Sequence, residues 1–480
     1  MKLYSENEQY KLYQGNMLDM LEVIKPNTID SVITDPPYGL TSITKRFGKE
    51  NSAECQYGKD GSFARLSKGF MGKEWDGSGI EYNIDAWQKC YEVLKPGGYL
   101  LAFGGSRTFH RIACAIEDAG FEIRDTIMWL YGSGFPKSLN IGLALDKKNR
   151  VESKIVSKTQ AQNEWRGWGT ALKPSFEPII VARKPFKGSL VDNVIEYGVG
   201  GINIDECRVE TTDTWHRKEQ ETNTAIEYQR KNKGMYAQKS EREMNSLGRF
   251  PANTILTYDE TDFDEVCGGF PNSKGASSQN NYSNGHIYRG QSLQESNTSL
   301  NGYREWYNDN GSASRYFYCA KASKKDRDEG LDDFEEKPMT ITESKGRTFN
   351  DRCAICGKKF VGSYETICHC ENPITDKTKS APRKNIHPTV KPTDLMQYLI
   401  RLVSPNGATI LDPFNGSGST GKAVMYENRE RDKNYKYIGI ELTEEYLPIS
   451  KARIEYVCNL TKEELKEKQM SIFDLGDNNV

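Results

Sequence analysis

The chain has 480 residues, which is long enough for two or three domains with a full α/β core. Lys and Arg number 65 and Asp and Glu 67, so the net charge of −2 excludes a uniformly basic nucleic-acid-binding protein. No apolar run reaches the roughly 18 residues of a membrane span. Residues 1–6 show no apolar signal segment, so we expect a cytoplasmic protein.

Short apolar runs alternate with turn signals over residues 1–185. Five buried strands are predicted there, at residues 11–13, 31–34, 99–103, 123–130 and 178–182. A helix is predicted from residue 108 to residue 119, where Gly120 ends it. This alternation predicts a doubly wound, Rossmann-like α/β sheet.

The alternation of short apolar runs with turn signals is interrupted between residues 186 and 380. Residues 211–249 are charged and polar, and residues 271–315 are rich in Asn, Ser, Gly and Tyr without a sustained helical or strand period. The alternation typical of an α/β domain then returns. We therefore predict four regions: one half of the main domain at 1–185, a large polar insertion at 186–380, the second half at 381–460 and a tail at 461–480.

Asp35-Pro36-Pro37-Tyr38 follows the predicted strand at residues 31–34. The amino group of adenine or cytosine is a poor nucleophile because its lone pair is delocalised into the ring. A carboxylate and a backbone carbonyl that accept its hydrogens would localise that pair, and Asp35 supplies the ionised acceptor. The prolines stiffen the turn and leave carbonyls free, and Tyr38 offers a face for stacking a base. The alternative is a proline-rich turn that only closes a strand.

A glycine-rich turn, Asn415-Gly416-Ser417-Gly418, follows a predicted strand at residues 408–411. Its glycines let the backbone approach a ligand, and the amides at the start of the next helix favour an anionic group. A further predicted strand, at residues 437–440, ends in Glu441, whose carboxylate can accept both ribose hydroxyl hydrogens. The pattern predicts a site for a nucleotide-like cofactor.

The same glycine-rich turn satisfies most of the P-loop pattern of nucleoside triphosphatases. In that pattern a lysine, here Lys422, is followed by a Ser or Thr that ligates magnesium. Ala423 has no hydroxyl group. The missing hydroxyl argues against a nucleoside triphosphatase and favours a cofactor that binds without magnesium.

Together these motifs resemble those of the DNA amino-methyltransferases of the circularly permuted β group, and most closely those of phages and prophages. The resemblance covers roughly residues 10–205 and 247–457. Its longest matching segments are residues 93–98, 103–111, 131–138, 167–174, 315–321 and 387–392. The motif at Asp35 precedes the glycine turn, which defines the permutation. This order counts against release-factor glutamine methyltransferases, whose Pro-Pro-Tyr motif follows the glycine turn.

The resemblance implies S-adenosylmethionine as cofactor, double-stranded DNA as substrate and N6 of a flipped adenine as methyl acceptor, in a bacterial or phage-infected cell. The catalytic residues that it implies are Asp35, Pro36, Pro37 and Tyr38. The cofactor residues that it implies are Asp19 at the adenine, Glu441 at the ribose, Lys391 and Pro392 at the methionine end, and Asp412, Phe414, Gly416, Gly418 and Thr420. Asp at position 35 leans to adenine within the family. N4 of cytosine is the alternative of the same geometry, and a non-catalytic DNA-binding or zinc module is the alternative from another class.

Four cysteines cluster in the predicted insertion. Cys353-x2-Cys356 and Cys368-x-Cys370 bracket an eleven-residue loop. Four thiolates at this range match a tetrahedral structural zinc site. The second pair has one intervening residue rather than two, so His369 is an alternative ligand. We predict one zinc ion that stabilises a small polar subdomain.

Two other segments predict contacts with macromolecules. Residues 137–187 carry eleven Lys and Arg against four acidic residues, a local charge of +7 that suits DNA phosphates. The tail contains Gln469-Met470-Ser471-Ile472-Phe473, which resembles the sliding-clamp-binding peptide of bacterial replication and repair proteins. In that interpretation Ile472 and Phe473 anchor in an apolar groove while Gln469 fixes the register. Packing of the same side chains onto the catalytic domain is the alternative.

Overall fold

The computed structural model describes residues 2–38, 79–131, 138–145, 164–209, 248–258, 317–321, 324–336, 383–461 and 463–466. It also describes the backbone of six short strands within residues 272–376. Over these parts of the chain, no helix has both the length and the apolar character that crossing a membrane requires.

Ten strands of the described residues form one sheet. They are β1 (Lys2–Glu6), β2 (Tyr10–Gln14), β3 (Ile29–Thr34), β4 (Leu94–Phe103), β5 (Glu122–Tyr131), β6 (Phe176–Arg183), β7 (Thr254–Tyr258), β10 (Tyr318–Lys321), β15 (Thr409–Asp412) and β16 (Lys436–Glu441). Six short strands form three antiparallel pairs, β8 (Asn272–Lys274) with β9 (Asn310–Ser312), β11 (Arg352–Cys353) with β14 (Thr375–Asp376), and β12 (Phe360–Val361) with β13 (Glu365–Thr366).

The large sheet interleaves the beginning and the end of the chain. Its strand order is β1-β2-β16-β15-β3-β4-β6-β5-β7-β10. The five strands β2, β16, β15, β3 and β4 run parallel to one another, whereas β6 runs antiparallel to both β4 and β5. All the predicted strands are present, and the sheet is mixed rather than wholly parallel. Because β7 and β10 extend this sheet, parts of residues 186–380 belong to the main domain.

Eight α-helices are found among the described residues. They are α1 (Met17–Leu21), α2 (Ile84–Val93), α3 (Phe109–Asp118), α4 (Leu190–Tyr197), α5 (Lys324–Asp328), α6 (Thr393–Val403), α7 (Ser419–Glu430) and α8 (Leu447–Asn459). Local sequence explains several of their ends. The Ser189 side chain and Asp192 form a capping box at the start of α4, and Gly198, with φ of 73°, ends that helix.

Helices cover both faces of the sheet. On one face, residues of α1, α2 and α3 pack with Val32 and Leu100. On the other face, residues of α6, α7 and α8 pack with Ile33 and Leu101. Neighbouring residues of one strand reach different cores because alternate side chains point to opposite faces. All four are fully buried, and burial of each such side chain contributes about 1.5–3 kcal/mol to folding.

The carboxyl ends of the parallel strands meet at one edge of the sheet. β3 is followed there by Asp35, β15 by Pro413, and β16 ends at Glu441. β6 runs the other way, so it begins at this edge and brings Glu177, its second residue, to the same place. The topology therefore joins two motifs that are far apart in sequence, at the edge where α/β sheets bind ligands.

Candidate active site

A cavity of about 1120 Å³ lies at this edge of the sheet. Its wall includes residues 35–38 of the first motif, residues 412–417 of the second motif, and Glu441. Pockets for one small ligand are typically about 300–1,000 Å³. The volume is therefore sufficient for a cofactor together with part of a second ligand.

Glu441 holds the glycine turn in place. Its Oε2 accepts a hydrogen bond from the Gly416 amide at 2.7 Å, and its Oε1 accepts one from the Thr443 amide at 2.7 Å. Burial raises the pKa of Glu441 to about 7, although these amide bonds oppose the shift. An acidic side chain with a pKa near neutrality thus lies on the cavity wall beside the turn.

Asp412 connects β3 with the glycine turn and with α7. Its Oδ1 accepts hydrogen bonds from the Thr34 hydroxyl at 2.6 Å and the Phe414 amide at 3.1 Å, and its Oδ2 accepts one from the Thr420 hydroxyl at 2.6 Å. Burial raises the pKa of Asp412 to about 6 despite these donors. Because its hydrogen bonds link β3, the glycine turn and α7, Asp412 fixes the position of the turn relative to the strand and the helix.

Gly416 lies where a side chain would collide with His387. The residue has φ of 52°, and a Cβ built on it would lie 2.9 Å from His387 Nε2. The His387 ring packs edge-on against Tyr446 at 4.5 Å, and its Nδ1 lies 2.6 Å from the Thr389 carbonyl oxygen. Burial lowers the pKa of His387 to about 3, so the ring is neutral and donates from Nδ1. The rigid ring and the positive φ together explain the glycine.

Lys422 is not part of the cavity wall. Its side chain is fully buried, with Nζ 2.6 Å from Asp326 Oδ1 and 2.8 Å from Glu329 Oε2. The lysine of a P-loop must instead reach the phosphates of its ligand. This placement supports the argument against a nucleoside triphosphatase that Ala423 gave.

Asp35 lies in a cluster of two carboxylates and one ammonium group. Lys391 Nζ is 2.7 Å from Asp35 Oδ2 and 3.3 Å from Glu177 Oε2. The Tyr38 hydroxyl donates to Glu177 Oε2 at 2.6 Å and accepts from Lys391 Nζ at 3.0 Å. The ammonium also lies over the Phe103 ring, 4.8 Å from its centroid, which favours the cation further.

The charges of this cluster depend on one another. Burial raises the pKa of Asp35; Lys391 opposes this shift and Glu177 adds to it. Burial alone would lower the pKa of Lys391, but the two carboxylates outweigh it and leave that pKa raised. Burial and both carboxylates also raise the pKa of Tyr38, which stays a neutral phenol. Lys391 is therefore a cation at neutral pH, and its charge favours the ionised form of Asp35.

The two oxygens of Asp35 have different surroundings. Oδ2 accepts from Lys391, whereas the buried Oδ1 has no hydrogen-bond partner among the residues that the structure describes. A buried carboxylate oxygen without a donor is costly. Because this oxygen lies on the cavity wall, it can accept a hydrogen bond from a donor group of a ligand.

Most of the residues to which the resemblance assigned roles share this cavity. Those that line it are Asp35, Pro36, Pro37, Tyr38, Lys391, Asp412, Phe414, Gly416, Thr420 and Glu441. Three others are placed differently: Gly418 caps α7 with φ of 76°, Pro392 precedes α6, and Asp19 is exposed in the first turn of α1. The wall next to α1 is formed by residues 15–17 instead, because they directly follow β2.

Several further residues line the cavity although sequence reasoning gave them no role, and among them are Glu177, Tyr131 and His387. The Tyr131 hydroxyl donates to Glu177 Oε1 at 3.4 Å, so Glu177 receives two tyrosine hydroxyls. A single acidic residue next to the apolar run of β6 is the sequence signal that identifies Glu177. The sequence signal for His387 is weaker, because it consists only of the position of this residue in the matching segment at residues 387–392.

The predicted zinc site and the predicted clamp-binding peptide lie largely beyond these parts of the chain. Cys356, Cys368 and Cys370 fall outside the described residues, and of Cys353 only the backbone is described, in β11. Residues 469–473 are also outside them. Within the described residues, no group of three or more His, Cys, Asp or Glu side chains is arranged to hold a metal ion. Both predictions stay predictions.

Known proteins with similar sequences are methyltransferases. The chain is 31% identical over 236 residues to the Type II methyltransferase M2.LlaDCHI of Lactococcus lactis subsp. cremoris, covering 42% of this chain and 82% of that protein. It is 26% identical over 211 residues to the Type II methyltransferase M.HindIII of Haemophilus influenzae, covering 40% and 64%. It is 28% identical over 142 residues to the DNA adenine methyltransferase YhdJ of Escherichia coli, covering 26% and 46%.

The matches to M.HindIII and YhdJ thus span less than two thirds of those proteins. Among solved structures, M1.HpyAVI aligns with 94% of this chain and 100% of its own, at 11% identity and a TM-score of 0.33.

The fold and the cavity define a Rossmann-like α/β protein in which a glycine turn and an acidic strand end face one ligand site. The family described as DNA methylase, of the N6 and N4 methyltransferase type, matches residues 29–452. The chain therefore belongs to this family. The matched region contains both motifs, from Asp35 to Glu441.

Proposed function

We propose that the protein transfers a methyl group from S-adenosylmethionine to N6 of an adenine that is flipped out of double-stranded DNA within a specific sequence. One observation carries this proposal: Asp35 of the amine-accepting motif and the nucleotide-type glycine turn line the same cavity of about 1120 Å³. Membership of the DNA methylase family supports the reaction class. The name of YhdJ, a DNA adenine methyltransferase, supports adenine as the target.

The second motif has the properties that an adenosyl cofactor requires. The absence of a side chain at Gly416 opens the turn, and Glu441 places a carboxylate at the end of β16 for the ribose hydroxyls. Phe414 adds an apolar wall, while Asp412 and Thr420 fix the turn from behind. When bound, S-adenosylmethionine supplies the electrophilic methyl group. Asp19, Pro392 and Gly418 are assigned to the cofactor by resemblance.

The first motif would hold the target amine. The Asp35 carboxylate accepts one amine hydrogen and a carbonyl of the Pro36-Pro37 turn accepts the other, which localises the nitrogen lone pair. The Tyr38 hydroxyl donates to Glu177, and this bond fixes the ring on which the base stacks. Such stacking contributes about 1–3 kcal/mol, which offsets a large part of the few kcal/mol that base flipping costs.

Lys391 and Glu177 act through their neighbours and are positioning residues. Lys391 keeps Asp35 ionised, and Glu177 orients Tyr38 and Lys391. The resemblance assigned Lys391 to the methionine end of the cofactor. Its ammonium group, 2.7 Å from Asp35, suits a role at the target amine as well.

The test is transfer of a labelled methyl group to DNA, followed by nucleoside analysis. N6-methyladenine is the expected product. N4-methylcytosine would support the alternative target, and no incorporation on any DNA would support a non-catalytic DNA-binding module. Sequencing of single DNA molecules from an expressing host identifies the methylated sequence.

We further infer that residues 1–185 and 381–460 are the two halves of a circularly permuted methyltransferase domain. The insertion at 186–380 would recognise the target sequence and contain a zinc-stabilised subdomain. The support for zinc is the spacing of Cys353, Cys356, Cys368 and Cys370. Metal analysis of the purified protein should give close to one zinc per chain, and Cys353→Ser should remove it. A metal-free wild-type protein of normal stability would end this proposal.

The tail, residues 461–480, is proposed to recruit a sliding clamp through residues 469–473. The support is the spacing of the glutamine and the two large apolar residues. Calorimetric titration against the clamp should show binding by the full chain and none by a chain ending at Lys468. Equal binding by both chains, or by neither, would contradict it.

A further inference from the structure

Leu172 lies on the cavity wall and yet is 91% exposed to solvent. Folding normally favours burial of a leucine, and an isolated exposed leucine needs no explanation by itself. This one lies on the wall of the cavity that a flipped DNA base must enter if the proposed function is correct. Its position at the cavity, rather than its exposure alone, is what requires an explanation.

The backbone on both sides of Leu172 is held in place. Ser138 Oγ accepts hydrogen bonds from the amides of Thr170 at 2.9 Å and Ala171 at 3.2 Å. On the other side, the Tyr131 amide donates to the Ser175 carbonyl at 2.9 Å. Residues 170–175 therefore form a short loop with anchored ends, which keeps Leu172 at the cavity.

Cationic side chains lie close to this 170–175 loop in sequence or on the same wall. Arg107 lines the cavity, and Lys173 follows Leu172 on the wall. Arg166 is exposed a few residues earlier in the same segment. Positive charges on the same wall and in the same segment as an apolar side chain suit an approach to DNA, because the phosphates attract the cations while the leucine reaches the bases.

We propose that Leu172 inserts into the base stack of the DNA and fills the gap that the target adenine leaves when it flips into the cavity. This proposal rests on the proposed function. Flipping breaks a base pair and the stacking on both neighbours, and apolar side chains that enter a stack occupy the emptied space. Trp165 and Trp168 are also exposed, with ring centroids 5.0 Å apart, but neither lines the cavity.

The experiment compares two duplexes that contain the methylated sequence. In one the target adenine is paired, and in the other the nucleotide opposite it is abasic, so that no base pair has to be broken. On the paired duplex, Leu172→Ala should slow methyl transfer by about tenfold or more, which is about 1.4 kcal/mol of lost transition-state stabilisation. On the abasic duplex its rate should return to within about threefold of the wild-type rate.

Two further variants control for unrelated effects. Leu172→Met retains an apolar side chain of similar volume and should keep most of the wild-type rate on the paired duplex. Ile195→Ala removes a side chain that is 80% exposed on α4, outside the cavity wall, and should behave as wild type on both duplexes. With 2-aminopurine at the target position, the wild-type protein should raise the fluorescence and Leu172→Ala should raise it less.

The outcomes separate the two proposals. A Leu172→Ala rate equal to the wild-type rate on the paired duplex overturns the role of Leu172, and so does a loss of the same size on both duplexes. A wild-type protein that raises 2-aminopurine fluorescence without methylating DNA overturns the proposed function while leaving base flipping intact. A wild-type protein that does neither overturns both.

Discussion

Replacing Lys391 by methionine tests whether this ammonium group keeps Asp35 ionised. Methionine is apolar and nearly as long, so it occupies most of the same space without the charge. Lys391 Nζ lies 2.7 Å from Asp35 and 3.3 Å from Glu177, and the lysine side chain is only 7% exposed. In the variant the Asp35 carboxylate loses this cation while the charge of Glu177 still disfavours its ionised form, so the pKa of Asp35 rises.

The size of the effect follows from the geometry. A cation at hydrogen-bond distance typically lowers the pKa of a carboxyl group by about 1–3 units, or about 1.4–4 kcal/mol. Burial already raises the pKa of Asp35, and loss of Lys391 raises it further by that amount. The amine acceptor is the ionised form, so the rate rises with pH through this pKa. At pH 7 the variant should therefore be slower than the wild type, by about tenfold for each unit by which its raised pKa lies above pH 7, and it should recover at higher pH.

The assay is single-turnover transfer of labelled methyl groups to saturating DNA between about pH 6 and about pH 9. Lys433→Met is the matched control, because Lys433 also forms an ion pair, 2.8 Å from Glu206, outside the cavity wall. We expect the acid limb of the profile to move to higher pH in Lys391→Met alone. An unmoved limb would refute the reasoning. A loss of the same size at every pH would also refute it, since that indicates altered structure.

Three other substitutions give separate expectations. Asp35→Ala should abolish methyl transfer and leave the affinity for S-adenosylmethionine within about threefold, by calorimetry, and substantial residual turnover would exclude Asp35 as the amine acceptor. The affinity of the wild-type protein for the cofactor should rise between about pH 6 and pH 8, through the Glu441 pKa of about 7, because the ionised Glu441 carboxylate is the proposed acceptor of the ribose hydroxyls. The same pH dependence in Glu441→Gln would contradict this role. Burial alone would raise the pKa of Asp326, but nearby cations, above all Lys422, outweigh burial and lower this pKa from 3.8 to about 2. Such a shift corresponds to about 2.5 kcal/mol in the free energy of unfolding. Urea unfolding should show that Asp326→Asn is less stable by that amount at every pH from about 5 to 8, because the contribution is lost only as pH falls from 3.8 towards 2. The control is Asp332→Asn, which should match the wild type because the Asp332 side chain is 90% exposed. A difference that grows as pH rises would refute the assignment of this stability to Asp326.

The strands and the glycine turn could be predicted because their signals are local. Residues 31–34 form an apolar run that ends in Asp-Pro-Pro, and β3 ends there. Residues 408–411 precede the glycines, and β15 occupies nearly the same positions. In both cases one segment contains both the pattern and the boundary. The meeting of Asp35 with the glycine turn could be predicted as well, because the ends of parallel strands share an edge.

The contacts of Asp35 with Lys391 and Glu177 could not be predicted in this way. Glu177 reaches the edge because β6 runs antiparallel, and strand direction leaves no mark on an apolar run. Lys391 lies just before α6, and which side chain it meets depends on how that helix packs on the sheet. Asp19 shows the opposite case. It is close to the strand end in sequence, yet its position on α1 leaves it exposed and outside the cavity.

Two buried lysines explain how distant segments assemble this site. Both belong to residues 381–460, and each pairs with a carboxylate from another part of the chain: Lys391 with Asp35 after β3, and Lys422 with Asp326 of α5. A buried ammonium group without a partner is strongly destabilising, so each pair favours only arrangements in which its two segments meet. The first pair places Asp35, the proposed amine acceptor, and the second ties α5 to the helix after the glycine turn. Removing either partner therefore changes geometry as well as charge, and a shift of the pH profile, rather than a loss of rate, separates the two effects.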